Sequence, residues 1–113
     1  IIIPESVNNI GKYAFEGCNN LEKITLPGDV LDSKTKVTFI KLFNENPSSL
    51  QEVVITGKKI GQGAFSELDT IENLVISNTV TYIDDYSFST YNFTNIYHIT
   101  IKTKLQPKKM TES

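Results

Sequence analysis

The apolar residues of this chain recur in a short pattern, apolar-x-x-apolar-x-apolar, in which x is mostly polar. The pattern occurs four times, at residues 21–26, 50–55, 71–76 and 96–101, and the chain opens on a shortened copy, Ile1-Ile2-Ile3. Alternating apolar and polar positions predict a strand, because successive side chains of a strand point to opposite faces. In the first full copy we therefore expect Ile24 and Leu26 to point inwards and Thr25 to point outwards.

A second pattern lies between the predicted strands. It reads Ile-Gly-Lys-Tyr-Ala-Phe at residues 10–15, Ile-Gly-Gln-Gly-Ala-Phe at 60–65 and Ile-Asp-Asp-Tyr-Ser-Phe at 83–88. The last aliphatic residue of each predicted strand falls at positions 3, 26, 55, 76 and 101, so the steps are 23, 29, 21 and 25 residues. These two patterns together indicate a repeat protein in which each unit contributes one strand.

The repeat predicts the fold class. One unit alone cannot bury its apolar edge, whereas units stacked about 4.8 Å apart form a parallel sheet in which equivalent aliphatic residues pack on each other. We predict a mainly β repeat solenoid of about four coils over residues 1–103, with one short parallel strand per coil. Turns and short helical or 3-10 segments lie on the opposite side, and residues 104–113 form a polar tail. A ladder of buried phenylalanines is expected on that opposite side: Phe15, Phe43, Phe65 and Phe88.

The second repeat is irregular. It is the 29-residue one, it lacks the Ile-Gly-x-x-Ala-Phe unit, and Leu42 stands where the other repeats have a small residue before the phenylalanine. We therefore expect this coil to be distorted. The extra residues, around 29–36, are either a neutral bulge or a functional loop.

Residues 3–21 carry a family resemblance. Their sequence, Ile-Pro-Glu-Ser-Val-Asn-Asn-Ile-Gly-Lys-Tyr-Ala-Phe-Glu-Gly-Cys-Asn-Asn-Leu, closely resembles the repeat of the BspA-like leucine-rich-repeat proteins. The resemblance extends to about residue 103 and is weakest in the second repeat; Thr56 and Ser77 stand where the pattern has proline. It implies a leucine-rich-repeat solenoid from a secreted or surface-attached bacterial or protozoal protein that binds host or neighbouring-cell macromolecules. The family it points to has no catalytic residues.

The outward positions of the predicted strands form three columns, which we call the strand face. Repeat solenoids usually bind their ligands on such a continuous surface. The β-branched third column is either a contact stripe or a result of strand propensity alone, and the aromatic pair at 97–98 marks either a binding hot spot or the covered end of the stack. The columns are Glu22, Gln51, Glu72 and Tyr97; Lys23, Glu52, Asn73 and His98; and Ile2, Thr25, Val54, Val75 and Thr100.

Composition narrows the function classes. The net charge of −2 and the pI of about 5.3 do not indicate a nucleic-acid-binding protein, and no apolar run approaches the ~20 residues that cross a bilayer. The single cysteine, Cys18, permits no internal disulfide and is expected to be buried. The pairs Asp29/Asp32 and Asp84/Asp85 fit turns better than a calcium loop. We predict no cofactor, no metal and no enzyme, since His98 is the only histidine and has no nucleophile in register.

These observations predict a non-catalytic protein-binding or adhesion module of an extracellular or cell-surface protein, with a protein or extracellular-matrix ligand. Two alternatives stay open: a structural spacer without its own ligand, and a non-catalytic segment of a larger surface enzyme. Self-association through the N-terminal edge is also expected, because Ile1 begins inside a predicted strand and leaves an open edge.

Overall fold

The computed structural model describes residues 1–45, 48–68, 71–84, 86–88 and 96–101. Four strands form one parallel sheet in the order β1-β2-β4-β6: β1 (Lys23–Pro27), β2 (Glu52–Thr56), β4 (Ile71–Ile76) and β6 (Ile96–Ile101). Two short strands, β3 (Lys59–Ile60) and β5 (Tyr82–Ile83), form a second parallel pair. Two 3-10 segments, Gly28–Val30 and Ile40–Leu42, lie between β1 and β2.

The register of the large sheet follows the repeat. Each of its four strands comes from one copy of the six-residue pattern, and equivalent positions of neighbouring copies face each other. Thr25 pairs with Val54, Val54 with Val75, and Val75 with Thr100. Ile2 extends the same row through a parallel bridge to Thr25. The predicted parallel pairing of these strands is confirmed, whereas the second strand that two of the repeats contribute, β3 and β5, departs from the prediction of one strand per repeat.

The inward positions of the strands form one layer of the core. Ile24 and Leu26 of β1 are fully buried, and so are their equivalents in β2 and β4, Val53, Ile55, Leu74 and Ile76. Burying a side chain of this size contributes roughly 1.5–3 kcal/mol relative to leaving it in water. The alternation inferred from the sequence therefore separates core from surface along these strands.

A shared carbonyl marks the beginning of each strand, where the pattern carries two outward residues in succession. The carbonyl of Glu22 accepts hydrogen bonds from the backbone N–H groups of both Gln51 and Glu52, at 2.8 and 3.1 Å. The carbonyl of Gln51 does the same for Glu72 and Asn73, at 2.8 and 2.9 Å. The shared acceptor lies at the beginning of each strand, just before the one-to-one register of Lys23 with Glu52 and of Glu52 with Asn73.

The phenylalanines form a continuous column on the side opposite the strands, with five members where four were predicted. Successive ring centroids lie 5.0–5.8 Å apart. The additional ring is Phe39, which stands between Phe43 and Phe65, and Phe15 at the end of the column is only half-buried. The column is Phe15, Phe43, Phe39, Phe65 and Phe88.

Backbone hydrogen bonds show how the second repeat supplies two rings. The N–H of Phe15 donates to Leu42, the residue before Phe43, so Phe43 is the partner of the first repeat. The N–H of Phe39 donates to Ala64, as the N–H of Phe65 donates to Ser87. Phe39 is therefore the partner of the third repeat. The predicted distortion of the second repeat is this 3-10 segment, Ile40–Leu42, with one ring at each side of it.

Cys18 lies at the surface, so the expectation of a buried cysteine is wrong. Its backbone N–H donates to the carbonyl of Phe15 in a tight turn that also includes Gly17, whose φ is +83°. Position 18 is therefore part of the exposed loop that follows the first ring.

Candidate functional site

The second and third columns of the strand face lie in register across the sheet, and binding at this face stays a prediction. Lys23 faces Glu52, Glu52 faces Asn73, and Asn73 faces His98. Half-buried members are Thr25, Glu52, Val54, Asn73 and Val75; the exposed ones are Glu22, Lys23, Gln51, Glu72 and Thr100. The backbone of Tyr97 and His98 belongs to β6, but their side chains fall outside the described part of the chain.

The third column is an apolar line between polar neighbours. Val54 and Val75 occupy its middle and are half-buried, because the side chains of adjacent strands cover part of each other. Ile2 at the first end of the line is 74% exposed. Four strands and the bridge at Ile2, at the usual spacing between strands, give this line a length of ~20 Å. It offers apolar contact along the whole sheet without forming a wide hydrophobic patch.

The charges of the strand face do not cancel. Lys23 Nζ lies 2.9 Å from Glu52 Oε2, so this cation already has an anionic neighbour on the next strand. Among the described residues, Glu22 and Glu72 form no ion pair. A partly exposed pair such as Lys23–Glu52 contributes about 0–1 kcal/mol to folding. The described part of the strand face therefore presents an excess of negative charge around its apolar line.

Two of the acidic residues considered for a cation, Asp29 and Asp32, accept hydrogen bonds from backbone N–H groups. Asp32 Oδ1 accepts from Lys34 and Thr35, at 2.8 and 3.2 Å, and Asp29 Oδ1 accepts from Lys58 at 2.9 Å. Lys36 Nζ donates to the carbonyls of Asn8 and Asp29. The carboxylates therefore shape turns and link neighbouring repeats, as the turn interpretation proposed. Within the described ranges no group of three or more His, Cys, Asp or Glu could hold a metal ion.

A second concave feature lies away from the strand face. A groove of about 480 Å³ opens between the loop after Phe15 and the loop after Phe43, and Cys18 is part of its wall. Sequence reasoning missed this feature. The signal that could have revealed it is the difference between Cys18 and Leu68, which occupy the same position of the first and third repeats.

Two sequence predictions fall outside the described residues and stay predictions. They are the turn position of Asp85 and the polar tail at 104–113. In the part of the chain that the structure does describe, no helix is long and apolar enough to cross a membrane.

Comparison with known proteins agrees with the repeat. A sequence model described as a BspA type Leucine rich repeat region (6 copies) matches residues 1–108, which is nearly the whole chain. Searches of curated proteins and of solved structures returned no significant match.

Proposed function

We propose that this chain, which belongs to the BspA-type leucine-rich-repeat family, is a non-catalytic binding module that recognises a protein ligand through its strand face. In this proposal the parallel sheet is one side of a solenoid. The module is part of a secreted or cell-surface protein that acts in adhesion. Family membership supports the surface location, since proteins with this type of repeat are typically surface proteins.

One observation carries the proposal: the sheet brings variable outward residues of successive repeats into continuous rows. Thr25, Val54 and Val75 are far apart in sequence yet adjacent in register. An extended, preformed surface can contact a ligand at many points without ordering a flexible loop on binding, which reduces the entropic cost of association.

The charge of the strand face supports a basic ligand. Glu22 and Glu72 lack ion-pair partners among the described residues, whereas Lys23 lies against Glu52. Complementary charge raises the rate of association and selects between partners. The proposed ligand is therefore an extracellular protein with a basic patch beside an apolar ridge, the latter resting on Val54 and Val75.

The test compares two substitutions of the same kind, one on the strand face and one away from it. Gln51→Lys adds a positive charge at the exposed centre of the first column, and Asn9→Lys makes the same change at an exposed position outside the strands. Binding to a panel of immobilised, purified extracellular-matrix proteins is measured by biolayer interferometry. We expect saturable binding that weakens about tenfold for Gln51→Lys and stays unchanged for Asn9→Lys.

Two outcomes would overturn the proposal. If no protein in the panel binds saturably, the chain is better explained as a structural spacer. If the two lysine variants weaken binding equally, recognition occurs outside the strand face. Circular dichroism of each variant, unchanged from the parent chain, establishes that a loss of binding is not a loss of folding.

A further inference from the structure

The groove beside the first ring of the column has an aromatic floor and acidic walls. Phe15 and Phe43, whose ring centroids are 5.8 Å apart, line it, together with Glu16, Glu45 and Cys18. Its volume of about 480 Å³ is large enough for a single long side chain. All these residues belong to the loops after the rings, and none belongs to the strand face.

The groove lies where the first repeat has a small side chain and the third repeat has a large one. In the third repeat, the N–H of Leu68 donates to the carbonyl of Phe65, just as the N–H of Cys18 donates to Phe15 in the first repeat. The residue before each of them has a left-handed backbone, with φ of +83° at Gly17 and +64° at Glu67. Leu68 is only 3% exposed and belongs to the core, whereas Cys18 is exposed and leaves the side of Phe15 open.

The chemistry of the groove selects for a positive charge. The described residues that line it include two carboxylates, Glu16 and Glu45, and no lysine, arginine or histidine. The faces of aromatic rings attract cations, and carboxylates bind guanidinium groups through charge-assisted hydrogen bonds. Arginine combines a planar cation that stacks on rings with an apolar stem that can lie against Phe15 and Phe43.

We propose that this groove binds an arginine side chain of a protein partner. The stem of that arginine replaces the missing apolar side chain above the first rings, and its guanidinium lies between the carboxylates of Glu16 and Glu45. The site is independent of the strand face, so it can be tested separately from the function proposed above.

The experiment titrates the chain with N-acetyl-arginine N-methylamide and follows the backbone amides by ¹⁵N NMR. N-acetyl-citrulline N-methylamide is the matched probe, because it has nearly the same shape and no charge. We expect saturable shifts at Gly17, Cys18 and Asn44 with the arginine probe, and binding about tenfold weaker with citrulline. Equal binding of the two probes, or no saturable shift, would overturn the proposal.

Two variants locate the binding. Cys18→Leu introduces the residue that the third repeat has at the equivalent position, Leu68. We expect the leucine to fill the groove and abolish the shifts, while the rest of the spectrum is retained. The double variant Glu16→Gln/Glu45→Gln keeps the shape and removes the charges; binding should weaken about tenfold. Glu22→Gln, an exposed carboxylate of the strand face, is the control and should bind as the parent chain does. Undiminished binding by Glu16→Gln/Glu45→Gln would contradict the assignment.

Discussion

The irregular second repeat affects two regions of the molecule differently. These are the large parallel sheet, here the strand side, and the column of phenylalanines, here the ring side. On the strand side, β2 pairs with β1 and β4 in the same register as any other neighbours, although the repeat before it is the longest at 29 residues. On the ring side the same repeat contributes two phenylalanines instead of one. Backbone hydrogen bonds require register, because a slip would expose every inward side chain. Ring packing only requires that the space be filled, so it accommodates the extra residues.

The largest expected effect tests whether the ring side carries the stability of the stack. Phe65 is fully buried between Phe39 and Phe88, whereas Phe15 at the end of the column is half-buried. Phe65→Ala should lower the free energy of unfolding by about 3–5 kcal/mol, as removal of a buried phenylalanine does. Phe15→Ala should cost less than half of that, because its ring has neighbours on one side only. Urea denaturation of both variants measures the difference.

A loss of less than about 1 kcal/mol for Phe65→Ala would be typical of a surface substitution and would contradict the buried column. Equal losses of unfolding free energy for the two variants would show that Phe15, at the end of the column, contributes as much to stability as Phe65 does.

The second prediction concerns the turn that follows β2 on the strand side. Gly57 has a φ of +80°, and a Cβ at this position would collide with the carboxylate of Asp29 and lie 3.0 Å from the Cβ of Pro27. Gly57→Ala should therefore destabilise the fold by about 2 kcal/mol, from the left-handed backbone and the displaced carboxylate. In Gly11→Ala, where a Cβ meets no atom within 4 Å, the effect should be neutral or slightly stabilising. Thermal unfolding that ranks the two variants in the opposite order would refute this description of the turn.

The smallest expected effect is a gain on the ring side. The Oγ of Ser87 is buried and has no hydrogen-bond partner among the described residues, and the other repeats have Ala14 and Ala64 at this position. Ser87→Ala should raise the free energy of unfolding by about 1 kcal/mol, because it removes an unsatisfied hydroxyl. Ser49→Ala is the opposite case, since Ser49 Oγ donates to the carbonyl of Leu21 at 2.7 Å, and it should lower stability. A loss of stability in Ser87→Ala would mean that its hydroxyl has a partner.

The sequence predicted the strand side residue by residue. Ile24, Thr25 and Leu26 lie inwards, outwards and inwards, and their equivalents pair in the inferred rows. This was possible because strand periodicity is local, and because four copies of the same pattern fix which residues are equivalent. The residues of the strand face could be predicted for the same reason, whereas the identity of its ligand could not.

The ring side was predicted only in part. Phe43 was recognised by its place in the repeat, whereas Phe39 lies in a stretch without the Ile-Gly-x-x-Ala-Phe unit, and its partner is set by a hydrogen bond to Ala64. The exposure of Cys18 and the groove beside it were missed as well. They depend on the volume that a side chain leaves unfilled, and a pattern of residue types does not report volume.

The extra ring also bears on the shape of the module. The strand levels that precede the rings along the chain are Ile2, β1, β2 and β4, and they span three spacings of about 4.8 Å. The five rings are joined by four centroid separations of 5.0–5.8 Å. We therefore expect the ring side to be longer than the strand side and the molecule to curve with its strands on the inner side. In this interpretation Phe39 is the residue that adds the length. A longer array built from such repeats would change direction wherever a second phenylalanine is inserted, so the curvature of its inner surface would be encoded by the position of single residues.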